Sequence, residues 1–374
     1  MAVKLGNGKW AVKEDKLLAY NDNSGRFFNK EFDFDRGSIA TYVAKDGLIK
    51  SAASDVPRID FSDSTNGALL LEPQSTNLWR NSEGSDITLT SPLGTFGFYN
   101  ITSSPASNSL TITAGTIVSA TFIVKKADGT TPTITASGSA GDIIFRITGS
   151  SGAGQSGTLT DIGNGFYTYK LENYSVTGNN SDNRISNNSG DVVYVSLVQL
   201  EQKSFATSYI PTSGSATTRL ADVCNNSGSA QDFNSEEGVL YAEIKTLSQT
   251  GTFRQINLSN GTASSRIYIS KRAENNNFEF RMDNPSGSLN FSFPLETTSS
   301  FVKLAFRYGL NNFAVFINGV NKNVSSTGNV FSSGTLNNLE FSSPLNQPFF
   351  GNIKDLKVFT EAKSDEFLAA LTTI

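Results

Sequence analysis

The fold is indicated first by residues 312–324, which read NFAVFINGVNKNV. Apolar and aromatic side chains fill residues 313–317, and a second run begins at Val320. Asn318-Gly319 stands between the two runs, and this dipeptide readily adopts the positive φ angles that a two-residue hairpin turn requires. The stretch therefore predicts an antiparallel β-hairpin in the last third of the chain.

Segments with the same β-branched and aromatic character precede and follow this hairpin, separated by runs of Gly, Ser and Asn. Asp128-Gly129 adds a second hairpin signal directly after one of them. No segment between residues 116 and 201 shows the helical 3.6-residue period. Short strands divided by turn residues are typical of a β-sandwich. The predicted strands span 116–124, 142–147, 165–171, 191–201, 238–244, 265–270, 277–282, 302–308 and 350–359.

One helix is predicted, near the end of the chain. Ser364 is a suitable N-cap, and Phe367, Leu368 and Leu371 share one face of a helix that follows it. Strands and turns account for the other clear patterns, so the predicted fold class is all-β.

The order of these patterns divides the chain into three predicted segments. Residues 1–75 hold only short strand-like runs, and we expect this segment to dock on the next domain or on another protein. A polar, Pro-marked stretch at 204–217 indicates a linker. The prediction is therefore a small N-terminal docking segment (1–75) followed by two β-sandwich domains (76–214 and 215–374).

Composition narrows the classes of partner. Of 374 residues only 17% are charged, and the apolar content is rich in rings, with 27 Phe and 11 Tyr. This profile favours an all-β surface protein with many turns over a disordered chain. The net charge is −4, and the basic residues are scattered, apart from short pairs such as Lys125-Lys126 and Lys271-Arg272 that we interpret as solvated surface. Nucleic acid is therefore not an expected partner.

The numbers of cysteine and histidine residues limit the kinds of catalytic and metal site that the chain can form. The chain has one cysteine, Cys224, and no histidine. An intrachain disulfide, a multi-cysteine zinc site and Ser-His-Asp or Cys-His catalysis are therefore excluded. We expect no cofactor, and we interpret Cys224 as an inert thiol. The N-terminus lacks the apolar core of a signal peptide, and no apolar run is long enough to span a bilayer, so we expect folding in a cytoplasm and no membrane insertion.

Two stretches near the start of the chain, 40–61 and 67–78, resemble the N-terminal signature of bacteriophage tail and appendage proteins. In that family a jelly roll like a carbohydrate-binding module follows, and its last strand and exit resemble residues 199–222 here. The last 150 residues resemble a concanavalin A/laminin-G-like sandwich, through 237–243, the Ile317-Asn318-Gly319 turn and 351–359. The first 30 residues match neither pattern, and we expect them to be a particle-specific anchor.

The resemblance implies a jelly-roll sandwich followed by a concanavalin A/laminin-G-like sandwich. It also implies a virion structural protein, a tail fibre or surface appendage, that is assembled in the bacterial cytoplasm and displayed on the virion surface. Expected partners are other virion proteins through the N-terminal segment, further copies in a homotrimer, and host-surface glycans. Two alternatives stay open: a capsid head fibre or decoration protein without a receptor, and a polysaccharide depolymerase, against which the missing β-helix repeat counts.

Only carboxylate pairs could support catalysis, and glycoside hydrolysis is the reaction that they would serve. Neighbouring residues on a strand point to opposite faces, and none of the pairs lies in a recognisable catalytic motif. We therefore predict a protein that is not an enzyme and assign no catalytic residue. The pairs considered are Asp60 with Asp63, Glu236 with Glu237, and Asp365 with Glu366.

The sequence does not identify the residues that would bind a metal ion or a ligand. Asp33, Asp35 and Arg36 suggest a metal or ion-pair cluster, or alternatively a docking or turn network in the N-terminal segment. A calcium site needs six to eight oxygen ligands, and no Asp-x-Asp-x-Asp-Gly loop is present. Exposed aromatic rings could stack on sugars, and the rings near predicted loops are Tyr99, Tyr174 and Tyr308. We assign no metal ligand and no ligand-binding residue.

Overall fold

The computed structural model describes residues 10–13, 16–21, 26–102, 104–135, 141–147, 154–247, 254–272, 277–294 and 300–374. The described chain is nearly all β, as predicted. The first strands are β1 (Trp10–Lys13), β2 (Lys16–Asn21), β3 (Arg26–Asp35), β4 (Ala40–Val43), β5 (Ile49–Ala52), β6 (Arg58–Asp60), β7 (Ala68–Leu71) and β8 (Ser75–Asn77).

The middle of the chain holds β9 (Ile87–Ser91), β10 (Gly94–Asn100), β11 (Ala106–Ile112), β12 (Ile117–Lys126), β13 (Ile144–Arg146), β14 (Thr158–Gly163), β15 (Phe166–Ser175), β16 (Asn180–Ser186), β17 (Val193–Glu201), β18 (Thr217–Arg219) and β19 (Val223–Asn225). The last part holds β20 (Glu237–Thr246), β21 (Arg254–Ser259), β22 (Arg266–Lys271), β23 (Asn277–Asp283), β24 (Leu289–Pro294), β25 (Val302–Gly309), β26 (Phe313–Ile317), β27 (Val320–Ser325), β28 (Asn338–Glu340), β29 (Gly351–Phe359) and helix α1 (Asp365–Thr372).

The chain forms two compact units, and one is inserted into the other. The first, which we call the frame unit, consists of 1–37, 52–73 and 221–374. The second, which we call the inserted unit, consists of 38–51 and 74–220. The frame unit is therefore built from both ends of the chain.

The frame unit is a sandwich of two antiparallel sheets. A seven-stranded sheet in the order β27-β26-β25-β20-β29-β7-β6 faces a five-stranded sheet in the order β24-β23-β22-β21-β28 across a shared apolar core. Phe280 of β23 meets Phe306 of β25 edge to face in that core, with ring centroids 6.1 Å apart. A four-stranded sheet, β1-β2-β3-β19, adds Trp10 and Phe32 to the same core.

The hairpin and the helix form as the sequence predicts. β26 and β27 pair antiparallel, with Ile317 opposite Val320, and Asn318 and Gly319 have φ of 49° and 81°. The Ser364 side chain accepts a hydrogen bond from the Phe367 amide and so caps α1. Leu368 then packs on the outer side of the seven-stranded sheet.

The inserted unit is a second sandwich. Its six-stranded sheet, β14-β15-β12-β17-β10-β9, packs on the three-stranded sheet β11-β16-β13. The opposite face of the six-stranded sheet is also apolar, because Phe98, Ile123 and Phe166 point to that side. The β4-β5 hairpin covers it, and the Ile49 amide donates to the Leu93 carbonyl at 2.8 Å.

One sequence expectation differs from this topology. Asp128-Gly129 forms a turn, with the Gly129 amide bonded to the Lys126 carbonyl, but β12 pairs with β15 and β17, so the turn does not close the expected hairpin. The compact units change at 73/74 and 220/221, and residues 52–73 belong to the same unit as the end of the chain. Residues 58–71 lie in the seven-stranded sheet, because β7 pairs with β29 near the other end of the chain.

A cluster of four charged residues lies in the frame unit, close in sequence to the ends of its chain segments. Its members are Arg36, Arg58, Glu72 and Asp222. Arg58 donates to Glu72 at 2.8 Å and to Asp222 at 2.6 Å, and Arg36 donates to Asp222 at 3.1 Å. The backbones join as well, since the Glu72 amide donates to the Asp222 carboxylate and the Asp222 amide to the Glu72 carbonyl. This charge cluster ties together two chain segments that are 150 positions apart.

Candidate functional site: the polar face of the five-stranded sheet

The five-stranded sheet of the frame unit has one apolar and one polar face. Along β21 the side chains of Ile256 and Leu258 enter the core, and along β22 those of Ile267 and Ile269 do the same. Side chains alternate along a strand, so the residues between them point to the other face of the sheet. We call that surface the polar sheet face; its residues on β21, β22, β23 and β28 are Gln255, Asn257, Ser259, Arg266, Tyr268, Ser270, Glu279, Arg281, Asp283 and Glu340.

Strand register arranges these side chains in rows across the sheet. The central row runs Glu340, Asn257, Tyr268, Arg281 and Asn290, each directly opposite the next. Directly opposed side chains on one face lie close enough to interact. The row therefore places an acid, an amide, a phenol ring, a guanidinium and a second amide side by side.

Ion pairs hold the charged members in place. Arg266 Nε donates to Asp283 at 2.9 Å, and Arg281 Nε donates to the other oxygen of Asp283 at 2.7 Å. Asn257 donates to Glu340 at 3.0 Å. Most of the face is closely packed, but the Arg281 side chain is 37% exposed and Asn290 on β24 is exposed. The face therefore has fixed polar groups and an accessible margin along β23 and β24.

Two polar atoms on this face have no hydrogen-bond partner among the residues that the structure describes. They are Oδ1 of Asn257 and Oγ of Ser270, and both residues are fully buried. Buried polar atoms are usually bonded, and an unbonded one costs free energy. Both atoms therefore lie in the closely packed part of the face and not at its accessible margin.

Tyr268 gives the face its aromatic ring. Burial, followed by the nearby charge of Glu279, raises the pKa of Tyr268 to about 12, so its phenol stays protonated at neutral pH. Arg266 lies over the ring, 4.6 Å from the centroid. Fixed donors and acceptors around a ring are suited to binding a polar, hydroxyl-rich molecule.

The sequence contained part of this signal. Residues 254–259, 266–271 and 277–283 alternate apolar residues with residues that form hydrogen bonds. The alternation shows that each strand has a polar side. It does not show which strands are neighbours, so the rows could not be predicted.

The carboxylate pairs considered from the sequence have structural partners. Asp60 is buried and accepts hydrogen bonds from Ser62, and Asp63 pairs with Lys245 at 2.8 Å. Glu236 and Glu237 are exposed.

The third pair lies at the start of α1. Asp365 pairs with Arg307 at 2.6 Å. Hydrogen bonds from its own amide and from Ser364 lower the pKa of Glu366. Neither this pair nor the other two lies on the polar sheet face.

The Asp33, Asp35 and Arg36 cluster does not form as one group. Asp33 and Asp35 are exposed, whereas Arg36 is buried and bonds to Asp222. A hydrogen bond with Asp55, followed by burial, raises the pKa of Asp35. Within the described ranges no group of three or more Cys, Asp or Glu side chains could hold a metal ion.

The aromatic candidates are packed rather than displayed. Tyr308 is fully buried in the core of the frame unit and donates to the Asn234 carbonyl at 2.7 Å, so it is not an exposed ring. Tyr99 is half-buried and donates to the Asn81 carbonyl, and Tyr174 is half-buried against the core of the inserted unit. Cys224 is buried, and burial raises its pKa well above the ordinary value.

Comparisons with known proteins find no matching family model and no matching curated protein. Among solved structures, the CBM40 domain of the Ruminococcus gnavus IT-sialidase, bound to α2,3-sialyllactose, matches at 18% identity over 40% of this chain and 93% of that chain, with a TM-score of 0.33. Domain 4 of the arabinanase AbnA from Geobacillus stearothermophilus, in complex with arabinotriose, matches at 16% identity over 46% and 84%, with a TM-score of 0.35.

Domains LG4-5 of the mouse laminin α1 chain match at 7% identity over 79% of this chain and 92% of that chain, with a TM-score of 0.26. At these identities and TM-scores the likenesses carry no argument about ligand or activity. The all-β sandwich fold follows from the strand pairing of the chain itself. Among the described residues there is no helix long and apolar enough to cross a membrane.

Proposed function

We propose that this chain is a non-catalytic glycan-binding protein, and that the polar sheet face of the frame unit is its binding surface. The observation that carries the proposal is the row of polar side chains from Glu340 to Asn290, which ends at the accessible margin formed by Arg281 and Asn290. Sugar hydroxyls both donate and accept hydrogen bonds. Arg281 and Asn290 offer such groups at the accessible margin of the face.

The proposed setting is the surface of a bacteriophage particle, on a tail fibre or another appendage, as a homotrimer. This part rests on the sequence resemblance at 40–61, 67–78 and 199–222. Three residues within those stretches, Arg58, Glu72 and Asp222, belong to the charge cluster. The resembling segments thus include the residues whose ion pairs join 58–72 to Asp222. Such a role suits a structural protein.

Binding is tested with the purified full chain on an array of bacterial surface polysaccharides, followed by calorimetry on the best one. Arg281→Ala and Asn290→Ala change the accessible margin of the face. A hydrogen bond to a charged group contributes about 1.5–3 kcal/mol, so Arg281→Ala should weaken binding by about tenfold or more. Asn290→Ala should weaken it by about threefold.

Lys354→Ala is the matched control, because Lys354 lies on the other sheet of the same unit and pairs with Glu243. It should bind like the wild type. Unchanged binding by both margin variants would show that the ligand lies elsewhere, and no binding to any polysaccharide would contradict glycan recognition. The same incubations should leave polymer length unchanged, since shortening would favour a depolymerase.

The location is tested by immunogold labelling of intact purified particles. Label on fibres or at the tail tip is the expected result. Label over the capsid would favour a head fibre or decoration protein, and the absence of both label and peptides from the particles would contradict a virion protein.

A further inference from the structure

Two arginines lie along the accessible margin of the polar sheet face. Arg281 is on β23, and its side chain is 37% exposed. Arg272 directly follows β22, and its side chain is 32% exposed. The neighbouring Lys271 is buried, so only Arg272 of the basic pair interpreted as solvated surface reaches solvent. The margin therefore presents two accessible positive charges.

The carboxylates that meet these arginines lie deeper in the face. Arg281 Nε donates to Asp283 at 2.7 Å, and Arg272 Nη1 lies 3.9 Å from a carboxylate oxygen of Glu279. The side chains of Asp283 and Glu279 are only 9% and 4% exposed. A ligand that approaches from solvent thus meets the guanidinium groups first, with these two acids behind them.

Arg281 keeps hydrogen-bond donors for such a ligand. Its bond to Asp283 uses Nε, and its two Nη nitrogens make no hydrogen bond to the residues that the structure describes. A guanidinium presents its N–H groups in a planar fork that matches two oxygens of a carboxylate or sulfate. An acidic group therefore gains a charge-assisted hydrogen bond here that a neutral hydroxyl does not.

The two arginines are farther apart than the length of one sugar ring. The Arg272 amide donates to the Asn277 carbonyl at 2.8 Å, so these two residues lie side by side. Arg281 is four positions from Asn277 along β23, which corresponds to about 13 Å. Asn290 and Ser292 are exposed on the adjacent strand β24, and Asn277 donates to Ser292 Oγ at 3.1 Å. A polymer lying along these strands would contact both arginines and the uncharged polar groups between them.

We propose that the polar sheet face selects acidic polysaccharides, and that the bound polymer lies along β23 and β24 with its acidic groups on Arg281 and Arg272. The proposal rests on glycan binding at this face and adds the charge of the glycan and the direction of the bound polymer. The selection is local, because the whole chain has a net charge of −4 and does not attract polyanions as a whole.

Each acidic probe is compared with a neutral polymer of the same backbone. Polygalacturonate is paired with its carboxyl-reduced form, and dextran sulfate is paired with dextran. Calorimetry on the full chain should show that at least one acidic polymer binds about tenfold or more tightly than its neutral form. Added salt should reduce this preference, because the two arginines are partly exposed and their charges are screened.

Two variants remove the charges and keep a hydrogen-bonding amide. Arg281→Gln should weaken binding of the acidic polymer by about tenfold, and Arg272→Gln by about threefold, since Arg272 already lies near Glu279. Neither variant should change binding of the neutral form by more than about twofold. Arg80→Gln is the matched control, because Arg80 is an exposed arginine of the inserted unit, and it should bind like the wild type.

A preference for polygalacturonate would identify a carboxylate as the acidic group, and a preference for dextran sulfate would identify a sulfate. Equal binding of acidic and neutral forms by the wild type overturns the proposal and leaves glycan binding intact. The proposal also fails if the preference survives in both site variants, or if Arg80→Gln loses it equally.

The array of polysaccharides separates this failure from that of the proposed function. Binding of a neutral polysaccharide without binding of either acidic probe overturns acid selection alone, whereas no binding to any polysaccharide contradicts glycan recognition itself. Thermal unfolding of each variant shows whether it is folded. If one site variant does not fold, the other decides alone.

Discussion

Arg58 in the charge cluster and Arg254 on β21 are both buried in the frame unit, but the pKa of the first is raised and that of the second is lowered. At Arg58 burial acts to lower the pKa, and the charges of Asp222 and Glu72 outweigh it, so the pKa is raised. At Arg254 burial lowers the pKa to about 10, and no described carboxylate offsets that effect.

The opposite pKa shifts of Arg58 and Arg254 show what gives Arg58 its structural role. A buried cation with its own carboxylates is complete and holds chain segments together, as Arg58 does with Glu72 and Asp222. Burial of a charge alone therefore does not make a structural tie; the carboxylates that meet it do.

The largest expected effect comes from removing one partner of the charge cluster. Asp222→Asn takes the shared carboxylate from Arg36 and Arg58 and leaves buried positive charge. The free energy of unfolding should fall by about 3–5 kcal/mol, measured by urea unfolding. Glu361→Gln, in an exposed pair with Lys363, is the control and should change little. A loss no larger than that of the control would mean that the cluster is not a structural tie.

Replacing Lys271 should change the free energy of unfolding in the opposite direction. Lys271→Met keeps the length of the side chain and removes a buried positive charge, one whose pKa burial lowers to about 8. In chloride buffer at pH 7 the free energy of unfolding should rise by about 1–2 kcal/mol, as found when buried charges are replaced by apolar residues. Urea unfolding measures the change. Destabilisation instead would show that the contacts of the charged side chain outweigh the cost of burying it, as they do at Arg58.

The stability difference between the wild type and Lys271→Met should depend on pH. Burial lowers the pKa of Lys271 from 10.5 to about 8, so between these values the unfolded chain binds more protons at this residue than the folded chain. Stability contributed by this group therefore rises with pH through that range and is lost as the pH falls towards 8. The advantage of Lys271→Met should shrink steadily above pH 8 and vanish near 10.5.

Urea unfolding of both proteins at pH 7, 8, 9 and 10 checks this. Subtracting the two curves removes the titration of Cys224 and of the tyrosines, which both proteins share. A difference that stays constant with pH would contradict the lowered pKa of Lys271.

The smallest change in the free energy of unfolding is expected at a solvent-exposed ion pair. Lys50 and Asp46 form a pair at 2.6 Å in which both side chains are about half exposed. Asp46→Ala should change the free energy of unfolding by less than about 0.5 kcal/mol, because exposed pairs contribute little. Thermal or urea unfolding measures it. A loss comparable with that of Asp222→Asn would show that burial is not what separates these pairs.

The local patterns in the sequence predicted most of the elements. The hairpin at Asn318-Gly319 and the helix capped by Ser364 formed where their local chemistry placed them, because a positive-φ turn and a cap depend on near neighbours. Strands such as β12 and β17 followed from runs of β-branched and aromatic residues. β16 had no such run and gave no signal, since its sequence is NSDNRIS.

The sequence by itself determined that this protein is all-β, that it lacks histidine chemistry, and that each strand of the five-stranded sheet has a polar side. These properties depend on residue types and on spacing along the chain. Tertiary structure alone decided that residues 58–71 join a sheet with 351–359, that Arg58 meets Asp222, and that Arg254 faces Lys271. Each of the last three depends on which strands become neighbours, and that choice is made by burying the whole core at once.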